Sequence, residues 1–180
     1  MRIIAGEKRG LKLAILEGTY TRPTKDSVRE AIFSRLQFCI KDCQVLDLFA
    51  GTGAMGLEAL SRGAKEVIFV DNNLNALKVL KKNIILAKYE EKAHIYSMDA
   101  LEYLKGTKSK FDIIFLDPPY MDGYYSKVLN LIIEYDVLVP DGLVVIESKK
   151  NTLFLQESSL FLMEKERTYG KTTVTYLRKK

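Results

Sequence analysis

The 180-residue chain carries 28 Lys and Arg against 23 Asp and Glu, a formal charge of +5, with 47% hydrophobic residues, two Cys and one His. This composition excludes intrinsic disorder and collagen-like repetition, and a chain of this size buries roughly 70% of the surface its unfolded form exposes, so it needs no disulfide or metal staple. Its longest apolar runs, such as Ile113-Ile114-Phe115-Leu116, fall far short of the ~20 residues that cross a bilayer, and residues 1–6 lack the apolar stretch of an export signal, so no membrane partner and a cytoplasmic location are expected.

Residues 2–5 and 11–15 alternate as a short hairpin about a turn between Gly6 and Gly10, with Lys8, Arg9 and Lys12 exposed. After a polar loop through Arg22 and Pro23, the side chains of Val28, Ile32, Leu36, Cys39 and Ile40 recur at helical spacing. Asp26 and Ser27 are candidate caps there, with Glu30 three residues after Ser27 completing a capping box. From Val45 the pattern changes: 45–49, 67–70, 93–96, 111–116 and 143–146 read as buried strands, and 54–62, 74–88, 100–104 and 126–135 as helices between them. Strands alternating with helices require crossovers, hence a parallel sheet covered on both faces. Residues 160–166 and 172–177 read as an antiparallel hairpin on the sheet edge. The chain divides into a hairpin-and-helix extension over 1–44 and a core domain over 45–180.

Cys39 and Cys43 with the single His94 supply too few ligands for a closed zinc site, so no metal is expected; the thiols are expected to be reduced and buried, and His94 to be structural. The positive charge is uneven. Residues 1–44 carry nine basic and five acidic groups, 45–150 thirteen and fifteen, and 151–180 six and three. A basic flank beside a near-neutral core suits a polyanion held next to a site; the alternative is a solvated surface with a frayed basic tail.

After the first buried strand comes Asp47-Leu48-Phe49-Ala50-Gly51-Thr52-Gly53-Ala54-Met55-Gly56, a GxGxxG pattern at a strand-to-helix turn, where backbone without Cβ can fold tightly and approach a ligand. The next strand ends in Asp71, 20 positions after Gly51, where a carboxylate can accept from both hydroxyls of a ribose. Together these point to an adenosine-containing cofactor and leave both NAD and S-adenosylmethionine open. Asp99, after the third strand, is placed to accept from an adenine amino group or to cap the following helix. Asp47 is expected to fix the glycine turn or to bond the cofactor's amino group.

The fourth strand ends in Asp117-Pro118-Pro119-Tyr120. The prolines have no N–H, so the local backbone presents carbonyls. A carboxylate and a rigid carbonyl suit the two hydrogens of an exocyclic NH₂, and Tyr120 can lie flat on the base that carries it. Holding both hydrogens turns the amine's conjugated lone pair toward an electrophile, and a sulfonium methyl needs such in-line approach. Hydride transfer to a nicotinamide has no use for that arrangement.

These residues resemble the class I S-adenosylmethionine-dependent methyltransferases with an (Asp/Asn)-Pro-Pro-(Tyr/Phe) motif, and more narrowly the RsmD family of bacterial 16S rRNA guanine-N2 methyltransferases. The likeness runs nearly end to end, through Arg2-Ile3-Ile4-Ala5-Gly6, Arg9-Gly10, Arg22-Pro23-Thr24, Val28 to Phe33, Val45 to Gly53, Gly56 to Ala64 and Phe115 to Tyr120. It implies an α/β, Rossmann-like class I methyltransferase fold: a seven-stranded, mostly parallel sheet in the order 3-2-1-4-5-7-6, helices on both faces, and a small N-terminal β-hairpin and helix. It implies S-adenosylmethionine held by Gly51, Gly53, Asp71 and Asp99, with Asp47, Phe49, Asn72 and Ala100 beside them. Asp117, Pro118 and Tyr120 would act on the base, while Lys8, Arg9, Arg22, Lys25 and Arg29 grip phosphates of 16S rRNA in the small ribosomal subunit. The implied reaction is methylation of one guanine, conventionally numbered 966, by a monomer. The rivals are an adenine-N6 methyltransferase on DNA or RNA, a NAD-dependent oxidoreductase, and a non-catalytic RNA-binding protein.

Overall fold

A computed structural model describes residues 1–16, 26–118, 123–150, 152 and 160–180. Among these residues seven strands form one sheet: β1 (Gln44–Leu48), β2 (Glu66–Asp71), β3 (Ala93–Ser97), β4 (Phe111–Leu116), β5 (Leu138–Lys149), β6 (Phe161–Tyr169) and β7 (Thr172–Lys179). Their order is β3-β2-β1-β4-β5-β7-β6. The pairings from β3 through β5 are parallel, while β7 runs antiparallel between β5 and β6. Among the described residues there are five helices: α1 (Asp26–Leu36), α2 (Ala54–Ser61), α3 (Leu74–Ala87), α4 (Ala100–Gly106) and α5 (Tyr124–Glu134). The expected order and both-face covering are what the chain adopts. Among the described residues no helix is long and apolar enough to cross a membrane.

Strand alternation sorts the core into two layers. Val45, Val67, Phe69, Ile113, Phe115, Val145 and Val174 face α1, α2, α3 and the N-terminal segment. Leu46, Leu48, Val70, Ile114, Leu116, Val144 and Ile146 face α4 and α5. The N-terminal segment lies on the first layer, where Ile3 and Leu13 are buried. Its hairpin shows as one antiparallel bridge, Arg2 with Lys12, with Ile3 N donating to Leu11 O, Gly10 N to Ile3 O and Leu13 N to Met1 O across the two arms, and further bonds tie it to the helix beneath. Glu58 of α2 accepts from Ile4 N at 2.7 Å and Ala5 N at 3.0 Å, Ser61 O accepts from Glu7 N at 2.7 Å, and Ser61 Oγ accepts from Lys8 N at 3.0 Å. Gly6 makes that contact possible: its φ is +85°, and a Cβ there would sit 1.8 Å from Ser61 O.

Four local expectations are corrected. The helix predicted through Ile40 ends at Leu36, whose carbonyl accepts from both Cys39 N and Ile40 N as the chain turns. Ser27 lies inside that helix rather than at its cap, because helical geometry already begins at Asp26. Cys39 is exposed and Cys43 half-buried, both as free thiols, because the shortened helix carries Cys39 to the rim. Finally, β3 is a half-exposed strand at the edge of the sheet, not a buried one; His94 in it is exposed, 3.6 Å from Glu66.

Candidate active site

The parallel register aligns the carboxyl ends of four strands. Leu48 pairs with Val70 on one side and Leu116 on the other, and Leu116 pairs with Ile146. One residue further on, Phe49, Asp71, Asp117 and Glu147 therefore form a row across the top of the sheet. Asp47, Asp71 and Glu147 share the alternation of Val45, Phe69 and Val145, and Asp117 continues that of Ile113 and Phe115, so these carboxylates belong to the layer that carries α2 and the N-terminal segment.

The glycine turn is fixed from three sides. Gly51 N donates to Asp71 Oδ2 at 2.7 Å, Gly56 N donates to Asp47 Oδ2 at 2.9 Å, and Thr52 O accepts from Asn83 Nδ2 at 3.0 Å. Of the three glycines, Gly56 is a packing glycine, since a Cβ would stand 2.2 Å from the Phe69 ring. Gly51 differs: its φ is +54°, yet a Cβ would meet nothing within 4 Å, so the outer side of the turn is open. Phe49 adopts φ +90°, an uncommon conformation for a bulky residue that clusters at functional sites. Its ring lies edge-on to Tyr124 at 5.7 Å.

Asp71 holds the turn with both oxygens, Oδ1 accepting from Asn73 N at 2.8 Å; each oxygen keeps a lone pair for a further donor. Asn72, next to it, is exposed. Asp99 caps α4, its Oδ1 accepting from Leu101 N at 2.8 Å and Glu102 N at 3.3 Å, and Ala100 is buried as the first residue of that helix. Asp47 is buried. That burial, partly offset by the Gly56 N–H, and then the charge of Asp71 push its carboxyl up to about 7. Asp117 is exposed at the surface, yet the protein packed beneath it takes away part of its hydration. This loss, followed by the charges of Glu147 and Asp47, pushes its carboxyl up to about 8. Pro118 is buried behind it. The raised carboxyls of Asp47 and Asp117, crowded beside Asp71 and Glu147, favour a cation seated among them.

Tyr120, Arg22 and Lys25 lie outside the described residues. Arg9 is exposed, whereas Lys8 is half-buried, paired with Glu7 at 2.7 Å and set 5.6 Å from the Tyr89 ring centroid. The assignment of Arg29 to phosphate contact is corrected: its side chain is fully buried. It donates to Arg2 O, pairs with Asp26 at 3.0 Å and lies 3.9 Å from Glu58. Residues that sequence reasoning missed are Asn83, Tyr124 and Glu147. Nothing local marks a buried asparagine on α3, because its partners Ala14 and Thr52 are 69 and 31 positions away. Glu147 escapes because it lies one residue past the apolar run 143–146, where it reads as an ordinary polar strand end. Among the described residues, no group of three or more His, Cys, Asp and Glu could hold a metal ion.

The model of the family described as Conserved hypothetical protein 95 matches residues 1–178. Ribosomal RNA small subunit methyltransferase D of Haemophilus influenzae is 37% identical over 173 residues, covering 94% of this chain and 89% of that protein. The chain belongs to that family. YlbH of Bacillus subtilis is similar to it at 38% identity over the full length of both chains. The solved structure of yhhF from Escherichia coli superposes with a TM-score of 0.91 at 32% identity, covering 100% of this chain and 98% of that one. The family therefore extends across the N-terminal segment as well as the sheet, and its fold, that of a methyltransferase, is the one described above.

Proposed function

We propose that this family member transfers the methyl group of S-adenosylmethionine to the exocyclic N2 of one guanine, position 966, in the 16S rRNA of the small ribosomal subunit. The observation that carries this reading is the row at the top of the sheet. Asp117 stands on the opposite side of the β1 turn from Asp71, with Pro118, which has no N–H, directly after it. A relative of the same family is named as a ribosomal RNA small subunit methyltransferase, which supports the RNA substrate.

The residues present suit the cofactor. The open side of Gly51 leaves room for a ligand to meet the turn, Asp71 retains acceptor capacity for ribose hydroxyls, and Asp99 stands at the adjoining strand end. The crowded carboxylates match a sulfonium cation. When bound, that cofactor supplies an electrophilic methyl group. The chain's own part is to accept and orient. Asp117 and the Pro118 carbonyl accept the two hydrogens of the guanine N2 amine, which aims its lone pair at the methyl. Tyr120 stacks on the base, which must first be turned out of its stack at a cost of a few kcal/mol. As nitrogen gains positive charge, the Asp117 carboxylate stabilises it, and the proton leaves afterwards to Asp117 or to water. Asp117 must be ionised for this.

The test is to incubate the protein and labelled S-adenosylmethionine with unmethylated small subunits and with naked 16S rRNA, then identify the modified nucleoside by mass spectrometry and map it. N2-methylguanosine at one position is expected. N6-methyladenosine, or no methyl transfer to any RNA, refutes the reading. Asp117→Ala is expected to lower turnover by on the order of 100-fold or more with cofactor affinity nearly unchanged.

A further inference from the structure

The exposed face of α3 stands apart from the other helix surfaces among the described residues. Within α1, acidic Asp26 and Glu30 balance Arg29 and Arg35. The sequence of α2 carries only Glu58, while Glu102 and Lys105 offset each other in α4, as Lys127 and Glu134 do in α5. By contrast α3, LNALKVLKKNIILA, holds three lysines and no acid. Helical geometry puts Ala76, Leu77, Leu80, Asn83 and Ile84 into the core, and Lys78, Lys81 and Lys82 together on the opposite arc. Lys78 and Lys82 are one turn apart, about 6 Å along the axis. Each of the three is exposed, and none is in an ion pair among the described residues. Three like charges this close repel one another, so the arc is unfavourable until something anionic lies along it.

Its position decides what that is. The helix starts directly after Asp71-Asn72-Asn73, at the mouth of the site. It shares a sheet face with the basic N-terminal segment, joined to it where Asn83 holds Ala14 N at 2.8 Å and where Lys8 lies over Tyr89, just past the end of the helix. We infer that the Lys78-Lys81-Lys82 face of α3 is a phosphate-binding surface for the RNA whose guanine enters the site, continuing the basic N-terminal surface around the cofactor turn. This rests on the proposed function. RNA is favoured over a membrane surface because the face adjoins the site and the basic N-terminal segment, although Leu74, Ile85 and Leu86 of α3 are exposed as well. Phosphate contacts position a nucleic acid without specifying sequence, so the face fixes the approach of the RNA, not the choice of base.

The test replaces all three residues together (Lys78→Gln, Lys81→Gln, Lys82→Gln) in the full chain. A control replaces Lys105, Lys108 and Lys127, in and after α4 and in α5, by Gln. Affinity for a small-subunit rRNA fragment is measured against salt concentration, alongside S-adenosylhomocysteine affinity and binding to phosphatidylserine vesicles. Removing three phosphate contacts should flatten the log-log salt slope by about 2 to 3 and weaken RNA binding at about 0.1 M salt on the order of 100-fold. Cofactor affinity and melting temperature should stay at wild-type values. Wild-type RNA affinity and slope in the α3 variant, an equal loss in the control, or loss confined to vesicle binding would each overturn the inference. If wild type itself neither binds nor methylates the RNA, the proposed function fails with it, and that outcome is recognisable because no variant is needed to see it.

Discussion

Glu58→Ala tests how the N-terminal segment is held. The carboxylate is fully buried and accepts from Ile4 N at 2.7 Å, Ala5 N at 3.0 Å and Arg62 Nε at 2.8 Å, with Arg29 Nε 3.9 Å away. Removing it leaves the buried Arg29 charge to Asp26 alone and strips the acceptor from two backbone N–H groups. Breaking a buried ion pair from one side costs about 3–5 kcal/mol, and each N–H that stays buried without a partner costs about 1–3 kcal/mol more. The segment can limit the second term by lifting away and rehydrating, so the expected loss is about 4–5 kcal/mol, a large fraction of a typical 5–15 kcal/mol stability. For a chain of this length that lowers Tm by about 8–20 °C. Urea unfolding followed by circular dichroism gives the free energy, and hydrogen exchange at the Ile4 and Ala5 amides shows whether the segment has come free. Glu58→Gln keeps one acceptor oxygen and should lose less. A Glu58→Ala protein within about 1 kcal/mol of wild type, with both amides still protected, would refute the reasoning.

Because Asp117 is raised to about 8 and Asp47 to about 7, the unfolded chain ionises these groups first, so their contribution to stability falls as pH rises from the ordinary carboxylate range through those values. Asp117→Asn should therefore lose less stability than wild type between about pH 4 and pH 8, and parallel urea-melt curves would contradict this. Over the same window wild-type methyl transfer should rise with pH, and binding of the sulfonium cofactor should strengthen more than that of its uncharged product, read by calorimetry. Gly6→Ala should destabilise severely, since its Cβ would fall 1.8 Å from a backbone oxygen, whereas Gly51→Ala has open space. It should cost only about 1–2 kcal/mol of left-handed strain in urea melts while sharply weakening cofactor binding. Asn83→Ala removes hydrogen bonds to Ala14 N, Ala14 O and Thr52 O and should cost about 2–4 kcal/mol; denaturation equal to wild type would show that water replaces the amide.

Most of the architecture was written in local patterns. The alternation of apolar runs and helical stretches places β1, β2, β4 and α2 to within two residues, because buried parallel strands read as continuous hydrophobic runs. The glycine turn and the acids ending β2 and β4 were visible because their signal lies in spacing along the chain. What was hidden depends on distant partners. Arg29 looks like any surface arginine in an amphipathic helix, and only the fold brings Glu58 and the Arg2 carbonyl to it. The acidic row was only partly legible: Asp71 and Asp117 end recognisable strands, but Glu147 joins them through register, and register is set by the whole sheet. Cys39 misled because its helical spacing continues past the point where the backbone turns.

The position of β7 bears on how the protein is made. A ribosome releases β6 before β7, yet β7 is inserted between β5 and β6. Until β7 emerges, the nascent chain presents β5 as an open edge and β6 without its β7 partner, two unsatisfied ladders rather than one. A chain stopped early, within residues 172–179, would forfeit both, and would expose edges of the kind that seed aggregation. Residues 172–179 thus join β6 to the rest of the sheet, so that a stop codon within them should produce an insoluble product rather than a weakened enzyme.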